Sequence, residues 1–195
     1  MNNPLTADKN YFISGGCRSG KSSMALALAE HLAPSGLFIA TAHACDTSMQ
    51  ERIKLHQKER SSHWQVFELA LREGVTLVER LDTIASSLPS SQHAIVLDCL
   101  TLWVSNCMET ITCPKAMQQS AQALVAKLYS LPNPIIIVSN EVGLGIVPST
   151  PLGRQFRDFA GLSNQCAAKQ ATNVIFCVSG LPLVVKGALP TTFTV

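Results

Sequence analysis

The sequence predicts an α/β nucleotide-binding fold, with a mainly parallel sheet covered by helices on both faces. Two observations carry this expectation. Short runs rich in Ile, Val and Phe recur between helix-forming segments, and they are continuously apolar rather than alternating, as strands buried on both faces are. The first run, Tyr11-Phe12-Ile13, leads into Gly15-Gly16-Cys17-Arg18-Ser19-Gly20-Lys21-Ser22. This is a complete G-x-x-x-x-G-K-[ST] phosphate loop with the required strand before it and a helix-forming run behind it.

The elements follow in order. After the strand at 11–13, a helix is expected over 20–33, rich in Ala and Leu. Leu37-Phe38-Ile39-Ala40 is the second strand. A helix over 47–59 starts at a capping box, Thr47 with Gln50 or Ser48 with Glu51. Val66-Phe67 is a short strand, followed by a helix over 73–87 and the strand Ala94-Ile95-Val96-Leu97. A helix over 115–130 precedes Ile135-Ile136-Ile137-Val138, and one over 151–171 begins with Pro in its first turn. Val174-Ile175-Phe176-Cys177-Val178, a turn at Ser179-Gly180 and Leu183-Val184-Val185 complete the chain.

A length of 195 residues suits one domain spanning 1–195, with residues 1–10 and 188–195 read as loose extensions. A net charge of +2 gives no basic stripe for nucleic acid, so anion binding must be local. The seven cysteines are scattered without a C-x-x-C pair, which suggests neither a disulfide framework nor a zinc site. The first ten residues are polar with no apolar run behind them, so no secretory signal is expected. No apolar stretch reaches the roughly 18 residues of a membrane span, and the cytoplasm is the expected compartment.

The chemistry starts from the phosphate loop. Its glycines let successive N–H groups face phosphate oxygens, and the following helix points the positive end of its dipole at the same anion. Lys21 would bridge the β- and γ-phosphates, and Ser22 would place a hydroxyl on Mg²⁺. Asp98 ends an apolar strand expected beside the first one, where a carboxylate serves either as a metal ligand or as a cap of the next turn.

On the helix at 47–59, Arg52, His56 and Arg60 lie four residues apart and share one face, with Lys54 and Lys58 nearby. Surrounding cations would keep His56 neutral, the state that attacks phosphorus, and would hold an anionic phosphate chain. A solvated basic face with an incidental His has the same spacing. The loop Asn140-Glu141-Val142-Gly143-Leu144-Gly145-Ile146-Val147-Pro148 suits a backbone that approaches ligand, and Glu141 would face metal or substrate, although a tight connection reads alike. Arg154, Arg157 and Asp158 on one helix admit a structural ion pair or a substrate contact. A bare phosphate loop would equally serve an ATPase or GTPase switch, or a binding module.

Taken together these motifs resemble the bifunctional adenosylcobinamide kinase and adenosylcobinamide-phosphate guanylyltransferase family of cobalamin biosynthesis. The resemblance runs from about Phe12 to Lys186. It rests on the phosphate loop, Ile39-Ala40-Thr41-Ala42, Arg52-Ile53-x-x-His56 with Arg60 and Trp64, Leu97-Asp98-Cys99-Leu100-Thr101, the Asn140–Pro148 loop, and Arg154-x-Phe156-Arg157-Asp158-x-x-Gly161-x-x-Asn164-Gln165. It implies a RecA-like P-loop fold, and a homo-oligomer that in the family is a trimer. It also implies His56 as the guanylylated residue and Lys21 as a catalytic group. Implied nucleotide contacts are Gly15, Gly16, Cys17, Arg18, Ser19, Gly20, Lys21, Ser22, Ala40, Thr41, Ala42, Gln57, Lys58, Glu59, Arg60, Glu68 and Asp98, with Mg²⁺ on Ser22 and Asp98. The substrates implied are a corrinoid and GTP or ATP. Two departures stand out: Ser61 where the family usually has Pro, and Leu162-Ser163 where it commonly has Arg-Val.

Overall fold

The computed structural model describes residues 9–42, 63–69, 77–86 and 93–193. Among the described residues there are seven strands: β1 (Asn10–Gly15), β2 (Ser35–Ala40), β3 (Trp64–Glu68), β4 (His93–Asp98), β5 (Ile135–Asn140), β6 (Asn173–Val178) and β7 (Leu181–Lys186). The described helices are α1 (Lys21–Leu32), α2 (Leu77–Ser86), α3 (Leu100–Cys107), α4 (Pro114–Tyr129) and α5 (Pro151–Gln170). One sheet runs β3-β2-β4-β5-β1-β6-β7, parallel throughout except for the antiparallel β6–β7 pair. The α/β expectation holds, and the helices expected over 20–33, 115–130 and 151–171 lie within a residue of their predicted ends; of the one expected over 73–87, residues 77–86 are helical and its predicted ends lie outside the described residues. The expected helix over 47–59 lies outside the described residues.

Strand alternation divides the core in two. Phe12, Leu37, Ile39, Ile95, Leu97, Ile135 and Ile137 face one layer, with Leu81 of α2, Trp103 of α3, Leu124 and Leu128 of α4 and Phe159 of α5. Their neighbours Tyr11, Ile13, Phe38, Val96, Ile136 and Val138 face the other, with Met24, Ala25 and Leu28 of α1. Every one of these side chains is buried, which is why the strand sequences read as unbroken apolar runs.

Two features depart from expectation and one contact was not foreseen. Helix α3 follows β4 at once and was not anticipated. Leu100, Thr101, Trp103, Val104 and Cys107 are all buried, the outward stripe of Leu102, Ser105 and Asn106 is too short to mark the period, and Cys99 at its N-cap offers no side-chain cap. The tail is not loose over residues 188–193. Leu189 and Phe193 pack on the α1 side of the core, and Thr192 Oγ1 lies 3.1 Å from His31 Nε2. Residues 9 and 10 are likewise tied in, with Ile135 N–H donating to Lys9 C=O at 2.9 Å. Finally, Lys186 at the end of β7 donates to the carbonyls of Ala168, Lys169 and Ala171 at 3.3, 3.1 and 2.6 Å. Its ammonium closes the negative end of α5.

Ser163 of α5, one of the two departures from the family pattern, is fully buried and its hydroxyl has no partner among the described residues. An unpaired buried hydroxyl costs roughly 1–3 kcal/mol of desolvation. Ser163→Ala should therefore raise stability by about 1 kcal/mol, read as a higher urea midpoint at unchanged slope. A lower midpoint would show that the hydroxyl contributes to packing.

Candidate nucleotide site

Each parallel strand delivers its last residue to the same edge of the sheet. In register these are Gly15 with Asn140, Ala40 with Asp98, and Ala40 with Glu68. The phosphate loop rises from that edge. Gly15 is needed for a close approach: a Cβ there would stand 2.5 Å from Ser19 Oγ and 2.7 Å from Cys177 C=O. Gly20 is needed for its backbone, with φ at 88°, in the left-handed region.

Helix α1 opens at Gly20 with no side-chain cap and no acidic residue in its first turn. Its first N–H groups and its dipole are therefore left to an external anion. Ser19 Oγ, inside the loop, is buried with no partner among the described residues, a donor that a phosphate oxygen would satisfy. Lys21 Nζ donates to Gly16 C=O at 3.2 Å, so its ammonium lies across the loop.

The loop is braced from two sides. Glu141 N–H donates to Gly15 C=O at 3.0 Å, and Gly180 N–H donates to Ser19 C=O at 3.0 Å. Gly180 belongs to the two-residue β6–β7 turn, where Ser179 and Gly180 both have positive φ, 51° and 85°, the arrangement of a type I′ hairpin. A Cβ on Gly20 would come 3.1 Å from Gly180 Cα, so both glycines serve one contact. The sequence marked the turn but not its contact with the phosphate loop.

Asp98 is not beside the first strand, as the sequence suggested. Strand β5 lies between β1 and β4, which places Asp98 two strands away from the loop strand. The Asp98–Cys99 peptide is cis and is held by Thr41. That fully buried hydroxyl donates to Cys99 C=O and accepts from Cys99 N–H, both at 2.7 Å, while Thr41 N–H donates to Asp98 C=O at 3.1 Å. Thr41, implied as a nucleotide contact, therefore has its hydroxyl committed to positioning Asp98. A second network of Thr101, Ser139 and Asn140 joins α3 to β5, with Thr101 Oγ1 2.8 Å from Ser139 Oγ and accepting from Asn140 N–H at 2.6 Å. No sequence signal pointed to it.

Burial is the main reason the Cys99 thiol is pushed up to about 12; the Asp98 charge adds to it and Lys21 partly offsets it. Burial also raises Cys177, again offset by Lys21. The Lys21 charge is thus felt at the ends of both β4 and β6.

Among the other predicted residues, Glu68 ends the edge strand β3 and is exposed, while Ala40 and Ala42 are half-buried. His56 and Gln57, Lys58, Glu59 and Arg60 lie outside the described residues. Arg154 donates to Pro148 C=O and Ser149 C=O at 3.0 and 2.8 Å, so it fixes the end of the Asn140–Pro148 loop. Arg157 stands 3.6 Å from Asp158 in an ion pair. Among the described residues no helix is long and apolar enough to cross a membrane.

Residues 11–185 match a family described as cobinamide kinase / cobinamide phosphate guanyltransferase. The bifunctional adenosylcobalamin biosynthesis protein CobP of Pseudomonas aeruginosa is 39% identical over 90% of this chain and 96% of its own length. The corresponding CobU protein of Salmonella typhimurium is 35% identical over 89% of this chain and 98% of its own. Among solved structures, an ATPase domain superposes with a TM-score of 0.50 at 13% identity, covering 87% of this chain and 69% of that one. A Pyrococcus horikoshii OT3 protein superposes with a TM-score of 0.58 at 5% identity, covering 94% and 88%. These structural likenesses bear on the fold alone, and the architecture is that of the RecA-like P-loop proteins.

Cys17 sits exposed within the loop and Cys113 is exposed at the start of α4, whereas Cys99 and Cys107 are buried and pushed up to about 12. At about pH 8 iodoacetamide should alkylate Cys17 and Cys113 but spare Cys99 and Cys107, which stay protonated. Saturating GTP should slow the Cys17 reaction several-fold and leave Cys113 unchanged, as followed by peptide mass spectrometry. Equal rates at Cys17 with and without nucleotide would place the phosphates elsewhere.

Proposed function

Because the chain belongs to the cobinamide kinase / cobinamide phosphate guanyltransferase family, we propose a two-step activity with assigned residues. It phosphorylates adenosylcobinamide with ATP or GTP, then transfers GMP from GTP to adenosylcobinamide phosphate, giving adenosyl-GDP-cobinamide. The observation that carries this reading is the uncapped start of α1 beneath a phosphate loop whose Ser19 hydroxyl has no partner among the described residues, in a chain that matches the family over residues 11–185.

In the first step the N–H groups of Gly16 to Ser22 and the Lys21 ammonium hold the triphosphate and take up charge as the γ-phosphoryl group leaves. Ser22 and Asp98 supply hard oxygen donors. That set suits Mg²⁺, which takes few protein ligands and completes its shell with phosphate and water oxygens. When bound, Mg²⁺ would offset charge on the phosphates. In the second step His56 attacks the α-phosphorus of GTP, forming an N–P bond as the bond to pyrophosphate breaks. The phosphate of the corrinoid then displaces GMP from His56. Gly15 to Ser22, Ala40 to Ala42, Gln57 to Arg60, Glu68 and Asp98 are assigned as nucleotide contacts on the family resemblance.

The free thiols of the described cysteines favour a reducing compartment, and we assign the chain to the cytoplasm. We assign it also to a homotrimer. Strand β7 is an edge strand with Leu181, Leu183 and Val185 exposed at 68%, 58% and 63%, an apolar edge of the kind that protein contacts cover. Sedimentation equilibrium should give three times the 21.0 kDa chain mass; a 21.0 kDa species at micromolar concentration would overturn the assignment.

His56→Ala should abolish labelling by α-labelled GTP and guanylyl transfer while leaving most kinase turnover, because phosphoryl transfer to an alcohol needs positioning and charge stabilisation rather than a protein nucleophile. The wild-type adduct should be acid-labile and alkali-stable, as a phosphoramidate is. Label retained in His56→Ala would move the covalent chemistry to another residue.

A further inference from the structure

We propose that Glu141 takes the proton of the acceptor hydroxyl during phosphoryl transfer; this rests on the kinase reading above. Three described carboxylates stand at the C-terminal edge of the sheet: Glu68 and Asp98 end β3 and β4, and Glu141 follows β5. Strands lie about 4.8 Å apart. By strand order, Glu141 is one strand from β1, Asp98 two and Glu68 four. On the other side of β1 the β6–β7 turn brings Ser179 and Gly180 and no carboxylate. Glu141 is thus the acid group whose backbone borders the phosphate loop directly, through its N–H on Gly15 C=O at 3.0 Å.

The carboxylate is held in place without being neutralised. Gly143 N–H donates to Glu141 Oε1 at 2.8 Å. A Cβ at Gly143 would stand 2.9 Å from the same oxygen, so a glycine there makes room for the carboxylate. Asn164 Nδ2 donates to Asn140 C=O at 3.1 Å and stands 3.5 Å from Glu141 Oε2. Asn164 is itself buried, which fixes the approach. Among the described residues no Lys, Arg or His forms an ion pair with Glu141, and the side chain is half-buried rather than solvated. A half-buried carboxylate fixed on one oxygen, its second reached by an amide at 3.5 Å, keeps lone pairs free to accept a proton. By strand order it is the described carboxylate nearest the phosphate loop, the position a general base for this transfer needs.

The step balances. The acceptor hydroxyl oxygen forms a bond to the γ-phosphorus as the bond to the β,γ-bridging oxygen breaks. The electron pair of that bond leaves with the nucleoside diphosphate, the hydroxyl proton passes to Glu141, and Glu141 returns it to water after release.

Glu141→Gln preserves shape and the Gly143 contact but removes the base. With adenosylcobinamide as acceptor its kcat should fall roughly 10²–10⁴-fold, with KM for both substrates within about threefold and GMP labelling from α-labelled GTP at the wild-type rate. Glu141→Asp, which withdraws the carboxylate by one methylene, should fall between the two; if the Gln variant fails to fold, judged by its melting curve, that intermediate kcat is the deciding value. Wild-type kcat in either folded variant would overturn the assignment, as would a kcat loss restored by raising Mg²⁺, which would make Glu141 a metal ligand. Absence of phosphorylated corrinoid with the wild-type protein would overturn the kinase reading itself.

Discussion

The site depends on the parallel pairing of β1 with β5. That pairing runs from Asn10 with Ile135 to Gly15 with Asn140 and is extended beyond the strands by the Glu141 N–H on Gly15 C=O. It forces the phosphate loop and the Asn140–Pro148 loop to leave the sheet at the same level, side by side. It is affordable because both strands are buried on both faces, so their polar backbone groups have no competitor in water. Without that pairing, the uncapped N–H groups of α1 and the carboxylate of Glu141 would have no common frame.

Much of this was legible from residues that the physics constrains tightly. The run Gly15-Gly16-Cys17-Arg18-Ser19-Gly20-Lys21-Ser22 has few uses, and unbroken stretches such as Ile135-Ile136-Ile137-Val138 have few homes outside a two-sided sheet. The turn at Ser179-Gly180 was marked by its glycine, and the first turn of α5 by Pro151. The resemblance added what spacing could not, a reason to single out His56 from a basic helix face.

What escaped was set by contacts between distant residues. Helix α3 is eight residues long and turns only Leu102, Ser105 and Asn106 outward, too short a stripe to announce it. Strand order is written in no single segment, and the insertion of β5 beside β1 moved Asp98 one strand further from the loop than its sequence context suggested. Thr41 looks like a small residue after a strand; its value comes from Cys99, 58 positions later. The tail at 188–193 is short enough to read as a loose end, yet Leu189 and Phe193 find the apolar face of α1.

The Gly180 N–H on Ser19 C=O makes the β6–β7 hairpin part of the phosphate cradle, while the other strand of that hairpin is the exposed edge of the sheet. Order gained at one end is therefore order already present at the other. A neighbour that stiffens β7 reduces the entropy lost when the loop closes on a triphosphate, and a triphosphate that stiffens the loop favours the neighbour by the same amount. Were β7 covered in an assembly, nucleotide occupancy and assembly would be linked through the two glycines that join the hairpin to the loop.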